Sequence, residues 1–324
     1  MGFDNFQNIG LDSYKDGSFI MDWQAFWNKT LLPSYIREPL VARTLNASGS
    51  GTLIPVDFDG KRVMNIPIGN DVDEPAYEWQ PGVKDTGLSG DEMIARMPQI
   101  YETIKFSKDE LKMMFAGKAR LPLAMSLILE KFAEFEDTKV FQGDATKKVI
   151  GLVGSETLDL GDPTAAWGIK TSTTNVLDNA VLDVNKAIDY FSLNNLTGKP
   201  IDMLITPYIW NIFRANKLPY GGISNMQYIK EMLNGGNIIM SSRIQAATIE
   251  ATVNSALFIV RDPKAWALIS SGIEREQEKI GLWSWRYGMR EKFSVKVLNA
   301  GLNNAGNNIS KYICWMDGIS NAAS

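Results

Sequence analysis

The chain has 324 residues, of which 45% are hydrophobic and 22% charged, proportions that exclude wholesale disorder and fibrous repeats. That length allows one large domain or two to three lobes at roughly 100–200 residues each. A formal net charge of -4 gives no global drive toward nucleic acid or an anionic membrane, and the absence of histidine excludes Ser-His-Asp and Cys-His catalysis and imidazole metal ligands.

A single cysteine, Cys314 in Tyr312-Ile313-Cys314-Trp315-Met316, rules out an intrachain disulfide and a cysteine-rich zinc site, and reads as an inert buried hydrophobe. The N-terminus has no basic run followed by an apolar stretch, and no uncharged apolar window approaches the roughly 18 residues of a membrane span. A cytosol-like compartment is expected. Met1-Gly2 departs from a myristoylation pattern because Phe6 stands where Ser or Thr is needed.

The first twenty residues are rich in Asn, Asp, Gly and Ser with isolated aromatics, and read as an extended arm. Trp23, Phe26, Trp27 and Leu31 then fit an amphipathic helix that Pro33 ends or kinks, and its aromatics call for a partner surface. From 46 to 104, glycines punctuate short β-like runs (Thr52 to Val56, Arg62 to Ile68, Ala76 to Gln80), with a hairpin turn expected at Asp59-Gly60. This acidic excursion is poor in core residues and is expected to protrude and pack on another subunit. Alternation over Ile94 to Phe106 predicts one long returning strand.

Ser107 with Glu110 forms a capping box, predicting a helix from near Lys108. Gly117 and Pro122 interrupt it. Met125, Ile128, Leu129, Phe132 and Phe135 then mark one face up to Gly143, with Glu130, Lys131, Glu134 and Asp137 on the other. Val149 to Val153 and Thr157 to Leu160 predict a small hairpin. Thr174 caps a helix with a stripe of Leu177, Ala180, Val181, Val184, Ile188 and Phe191 facing away from Asp183, Lys186 and Asp189.

Ile201 to Thr206 reads as a buried strand, Pro207 to Ala215 as a proline-opened helix, and Ser224 to Leu233 as a short helix stopped by Gly235-Gly236. Strands follow at Asn237 to Met240, Thr248 to Val253, Ala256 to Val260, Trp266 to Ser270, Trp283 to Tyr287 and Phe293 to Leu298. Lys311 to Met316 closes the chain after the Asn-rich loop Leu302 to Asn308. The fold class expected is α+β.

Chemical motifs are weak. Ser48-Gly49-Ser50-Gly51 lacks the third glycine and strand-to-helix setting of a dinucleotide loop, and reads as a flexible hinge. Thr197-Gly198-Lys199-Pro200 lacks the upstream glycine and the Ser or Thr of a phosphate loop. Asp57, Asp59, Asp71, Asp73 and Glu74 could hold a hard cation, yet their spacing matches no calcium loop. Glu130, Glu134, Glu136 and Asp137 could supply an acid and a base, and read more simply as the wet face of their helix. Glu274 to Lys279, followed by Arg286, Arg290 and Lys292, mixes charge signs in a way that suits subunit contacts or a solvated surface. No catalytic, cofactor or metal residue is assigned.

The element order, with Val140-Phe141-Gln142-Gly143-Asp144, Val149-Ile150-Gly151-Leu152-Val153, Met203-Leu204-Ile205-Thr206-Pro207-Tyr208 and Ala256 through Pro263, resembles the Hong Kong 97-type major capsid proteins of tailed viruses and the related encapsulins. The resemblance implies an N-terminal arm (1–45), an E-loop β-hairpin (46–92), a P-domain with a long spine helix (93–165), an α/β A-domain (166–260) and C-terminal strands (261–324). It implies a non-enzymatic structural protein that assembles with itself in hexamers and pentamers, located in a virion capsid built in the host cytoplasm. The shell would enclose double-stranded DNA, with scaffold, portal or decoration proteins as further partners and no membrane. An encapsulin shell around protein cargo is the alternative, with Asp22 to Leu32 as its interior helix. A carboxylate- or metal-dependent α/β enzyme is the competitor from another class. Candidate subunit-interface residues are Trp23, Phe26, Trp27, Lys61, Arg62 and Lys84. Cross-links from Lys61 or Lys84 to Asn299, Asn303 or Asn304 are open under the resemblance.

Overall fold

The computed structural model describes residues 41–56, 63–69, 90–107, 121–161, 163, 167, 176–215, 225–244, 253–280, 284–298, 300–302 and 308–320. In chain order these form α1 (Val41–Ala47), β1 (Thr52–Pro55), β2 (Val63–Gly69), β3 (Gly90–Arg96), β4 (Gln99–Ser107) and α2 (Leu121–Gln142). Then come β5 (Leu158–Asp159), α3 (Val176–Leu193), β6 (Ile201–Ile205), α4 (Pro207–Ala215), α5 (Asn225–Met232) and β7 (Ile238–Met240). The rest is β: β8 (Val253–Val260), β9 (Trp266–Ser270), β10 (Glu274–Lys279), β11 (Ser284–Val297), β12 (Ala300–Leu302), β13 (Asn308–Ser310) and β14 (Ile313–Ser320). No described helix is long and apolar enough to cross a membrane. The chain divides into two compact units, one taking in Gln99–Glu136 and Ile273–Glu291, the other Val41–Pro98, Asp137–Gly272 and Lys292–Ser324.

The larger unit is built on a five-stranded sheet in the order β5-β14-β8-β6-β7. Every residue of β6 is buried, as are Ala256 to Val260 of β8, so both faces of the sheet are covered. β6 runs parallel to β7, a pairing that requires the intervening crossover through α4 and α5. On α3 the buried stripe is Ala180, Asp183, Val184, Ala187 and Phe191, which is helical spacing with one carboxylate in it. Asp183 therefore departs from the wet face expected for it. Its Oδ2 accepts from the buried Trp167 indole Nε1 at 2.8 Å, its Oδ1 pairs with Lys186 at 2.8 Å, and Trp167 stacks on Phe213 of α4.

Polar residues also carry β8 three residues ahead of the expected start at Ala256, while residues 248–252 of the strand expected before it lie outside the described residues. Asn254 accepts from Thr206 Oγ1 at 2.7 Å and donates to the Ile319 carbonyl, and Ser255 donates to Asp317, so the strand runs through them satisfied. A second sheet carries β1 in parallel register with β9 (Thr52↔Ala267 to Pro55↔Ser270) and β9 antiparallel to Phe293 to Val297 of β11. β1 thus does not form a hairpin with β2. Asp59-Gly60 lies outside the described residues, while β2 pairs antiparallel with β3 as a separate two-stranded ribbon. The long strand expected over 94–106 is divided between β3 and β4 at Met97-Pro98. Pro98 has no amide to donate to a ladder, its carbonyl accepts from Phe293, and Met97 is buried against Ile269. The Asn-rich loop is flanked by the β12–β13 hairpin.

In the smaller unit, β4 and β10 both pair with β11. Tyr101 of β4 lies over Gly288 of β11, where a Cβ would come within 3.2 Å of its ring. The mixed-charge stretch 274–279 proves to be β10, antiparallel to β11 with Glu274 opposite Arg290 and Glu278 opposite Arg286. Arg290 Nη2 lies 3.2 Å from Glu274 Oε2. The opposite signs at these two positions serve the cross-strand pairing, and β11 runs unbroken through most of the two expected segments 283–287 and 293–298 as one 14-residue strand. Pro122 is the second residue of α2, where a missing amide costs no helical hydrogen bond, and the helix expected from near Lys108, with Gly117, lies outside the described residues.

Candidate assembly surfaces

Trp23, Phe26, Trp27, Lys61, Arg62 and Lys84 all lie outside the described residues, as do Asn299, Asn303, Asn304 and the carboxylates of the 57–74 stretch. What the structure places is the framework from which those segments depart, and three side-chain clusters hold it.

The first fixes α1. The amides of Val41 and Ala42, orphan donors of its first turn, both donate to the Asp137 carboxylate, each at 3.1 Å. Asp137 sits in the last turns of α2, so the end of α2 caps the start of α1 across 95 positions of sequence. Burial pushes its carboxyl above the ordinary value, against the lowering effect of those two amides and of Arg243 and Arg43. Asp137 and Glu136 are buried, which corrects the solvated face expected for them; Glu130 and Glu134 do lie exposed. The signal for Asp137 is absent from the local sequence, because its partner is a helix end far along the chain.

The second cluster fixes the turn Ser48 to Gly51. Asp202, fully buried in β6, accepts from Arg261 Nε at 2.9 and 3.0 Å, Arg261 Nη2 at 2.7 Å, the Asn237 amide at 2.8 Å and the hydroxyls of Ser48 and Ser50. Burial acts to raise the Asp202 carboxyl, but Arg261, Ser50 and the Asn237 amide together hold it below the ordinary value. Beside it Lys199 pairs with Asp262, whose backbone carbonyl accepts from the Gly51 amide at 3.0 Å. The flexible hinge expected at 48–51 is therefore a fixed turn. Gly51 has φ +95°, and a Cβ there would lie 2.6 Å from Trp266 Nε1. The sequence does hold a clue: a lone aspartate inside Ile201-Asp202-Met203-Leu204-Ile205 demands a buried cation partner.

The third cluster closes α2. Gly143, at φ +74°, donates to the Lys139 carbonyl at 2.9 Å as a left-handed helix stop. The chain then doubles back between Asp144 and Val149, and the amides of Leu152 and Val153 donate to the end-of-helix carbonyls of Val140 and Phe141 at 2.9 and 2.8 Å. The expected hairpin at 149–160 is thus a helix cap followed by β5, which pairs with β14. Backbone contact at the crossing is tight enough that a Cβ on Gly151 would stand 2.4 Å from the Phe141 carbonyl oxygen. Lys139 pairs with Asp144 at 2.8 Å and holds its carboxyl below the ordinary value.

Among the described residues no three acidic or cysteine side chains converge as a metal site. Several large apolar side chains stay exposed. In the larger unit these are Leu53, Leu182, Leu193, Tyr208 and Met240; in the smaller, Tyr101, Phe135 and Ile280. Phe135 departs from the apolar face expected for it.

No protein-family model matches the chain, and no curated protein matches it by sequence. Solved structures do. A virus-like particle from Pyrococcus furiosus matches over 91% of this chain and 99% of its own, with a TM-score of 0.56 and 12% identity. The capsid of Myoviridae phage XM1 matches over 85% and 91%, with a TM-score of 0.58 and 12% identity. The capsid of Ralstonia phage GP4 matches over 86% and 90%, with a TM-score of 0.56 and 8% identity. The fold is that of capsid-forming proteins. In particular it is the Hong Kong 97-type capsid fold that the sequence resembles.

Proposed function

We propose that this chain is a major capsid protein that assembles with itself into an icosahedral shell enclosing viral double-stranded DNA. The observation that carries the reading is the extent of the likeness. The shared fold takes up 85–91% of this chain and 90–99% of the chains it matches, which leaves little sequence outside a shell-building fold. Exposed apolar residues on both units suit a protein that gains partners on assembly. The subdivision into arm, E-loop, P-domain and A-domain belongs to this proposal. So do hexamers and pentamers, a virion location with assembly in the host cytoplasm, and scaffold, portal or decoration partners. Trp23, Phe26, Trp27, Lys61, Arg62 and Lys84 remain the proposed contacts of the arm and loop.

The virus-like particle match favours a second reading, an encapsulin shell around protein cargo. A carboxylate enzyme is the weaker account, because Asp137 caps a helix and Asp202 is saturated by Arg261, two serines and an amide. Particles recovered from cells that carry the gene, treated with nuclease and then opened, decide between the shells. Protected double-stranded DNA is expected; a stoichiometric protein cargo without nucleic acid establishes the encapsulin.

A further inference from the structure

We propose, independently of the shell reading, that Asn234 is a site of spontaneous covalent modification, at which the Gly235 amide nitrogen attacks the Asn234 side chain and converts it to aspartate and isoaspartate. Asparagine followed by glycine occurs once in the chain, at Asn234-Gly235. Both residues are exposed, in the turn that joins α5 to β7. Beyond its chain neighbours nothing lies within 4 Å of where a Cβ on Gly235 would stand, so no side chain shields the attacking nitrogen.

The turn is also poorly held. Asn234 has φ +54° and Gly235 φ +80°, and the left-handed region carries a steric cost for any residue but glycine. The Gly235 amide donates to the Lys230 carbonyl at 3.4 Å, and Asn234 Nδ2 to the Lys199 carbonyl at 3.4 Å, both long for such bonds. A strained, exposed turn with long bonds opens locally at small cost, and opening frees nucleophile and carboxamide together. The Gly235 nitrogen then gives its proton to water and bonds to Asn234 Cγ. The Cγ–Nδ2 bond breaks, and that nitrogen takes up a proton and leaves as ammonia. Water adds to one or the other carbonyl of the resulting succinimide, giving aspartate or isoaspartate. Water is the sole co-reactant, and nothing is oxidised or reduced.

Either product sets a carboxylate where a donor faced the Lys199 carbonyl, and adds negative charge at the C-terminal end of α5, where the helix dipole is already negative. Isoaspartate also lengthens the main chain by one carbon just before two anchored residues. Gly236 packs on the Ile201 carbonyl with no room for a Cβ, and the Asn237 amide donates to Asp202 at 2.8 Å. The modification thus strains the Asp202 cluster. Asn195 supplies an internal comparison: it is exposed with φ +59°, yet Leu196 follows it and its side chain hinders the same attack.

The test is peptide mass mapping of the full-length protein during incubation at mildly alkaline pH, beside an unstructured peptide of residues 230–238. Asn234 is expected to exchange amide for acid at least several-fold faster than any other described asparagine, Asn195 included, and the aged protein to unfold at a lower urea midpoint. N234G, which suits the positive φ, is expected to keep its midpoint on ageing. An Asn234 that stays intact while the peptide is fully converted overturns the site, as does an Asn195 that converts equally fast. A midpoint that falls equally in N234G overturns the link to the Asp202 cluster.

Discussion

Replacing Asp202 with alanine removes the buried carboxylate with which Arg261 pairs. Both partners are shielded, Asp202 fully and Arg261 with 23% of its side chain exposed, so the guanidinium is left without its bidentate acceptor in a low-dielectric setting. Breaking such a pair by deleting one member costs about 3–5 kcal/mol. The Ser50 hydroxyl and the Asn237 amide lose their acceptor too, which places the expected cost at the upper end of that range. Urea titration of the dissociated subunit, followed by tryptophan fluorescence, reads the change as a lower midpoint at unchanged slope. D202A/R261M removes both charges and is expected to recover much of the loss, since paired removal is far less costly than single removal. Asp202 titrates below its ordinary value in the folded chain, so its contribution holds at neutral pH and is lost as pH falls through that lowered value. A D202A cost under about 1 kcal/mol, or a double variant no better than the single, would refute the keystone role.

At the end of α2, G151A is expected to cost about 2 kcal/mol or more, because its Cβ meets backbone oxygen at 2.4 Å. G161A, with positive φ and open space around it, is expected to cost only about 1 kcal/mol; equal costs would remove the crossing argument. Asp137 has the opposite sign to Asp202. Its raised folded value makes its contribution fullest below the ordinary carboxylate pKa of about 4 and smaller as pH rises through the raised one. D137N should therefore gain on wild type between about pH 4 and 7 in paired urea titrations, and a flat difference contradicts this. The Cys314 thiol, pushed up by complete burial, should resist thiol reagents in the native chain and react once unfolded.

Much of the larger unit was legible because its signals are local and agree with each other. Ile201 to Ile205 is a continuous apolar strand apart from Asp202, Pro207 opens α4, and Gly235-Gly236 ends the region of α5 with φ +80° at Gly235. The misread elements are those whose deciding partner is distant. Nothing near Thr52 indicates that β1 pairs with β9, and nothing near Asp137 indicates a helix end awaiting a cap. Alternating charges at 274–279 look like a solvated surface until β11 supplies the opposite signs. The six interface candidates stand out in the sequence as clustered aromatics and loop cations. On α3 the outward Lys186 and Asp189 are legible in the sequence, whereas the exposure of Leu182 and Leu193 is not.

The most direct test of the central claim is the size of the purified, untagged protein by light scattering with negative-stain microscopy. Closed particles or rings of subunits are the predicted result. A stable monomer that neither salt nor crowding converts to particles would contradict the shell.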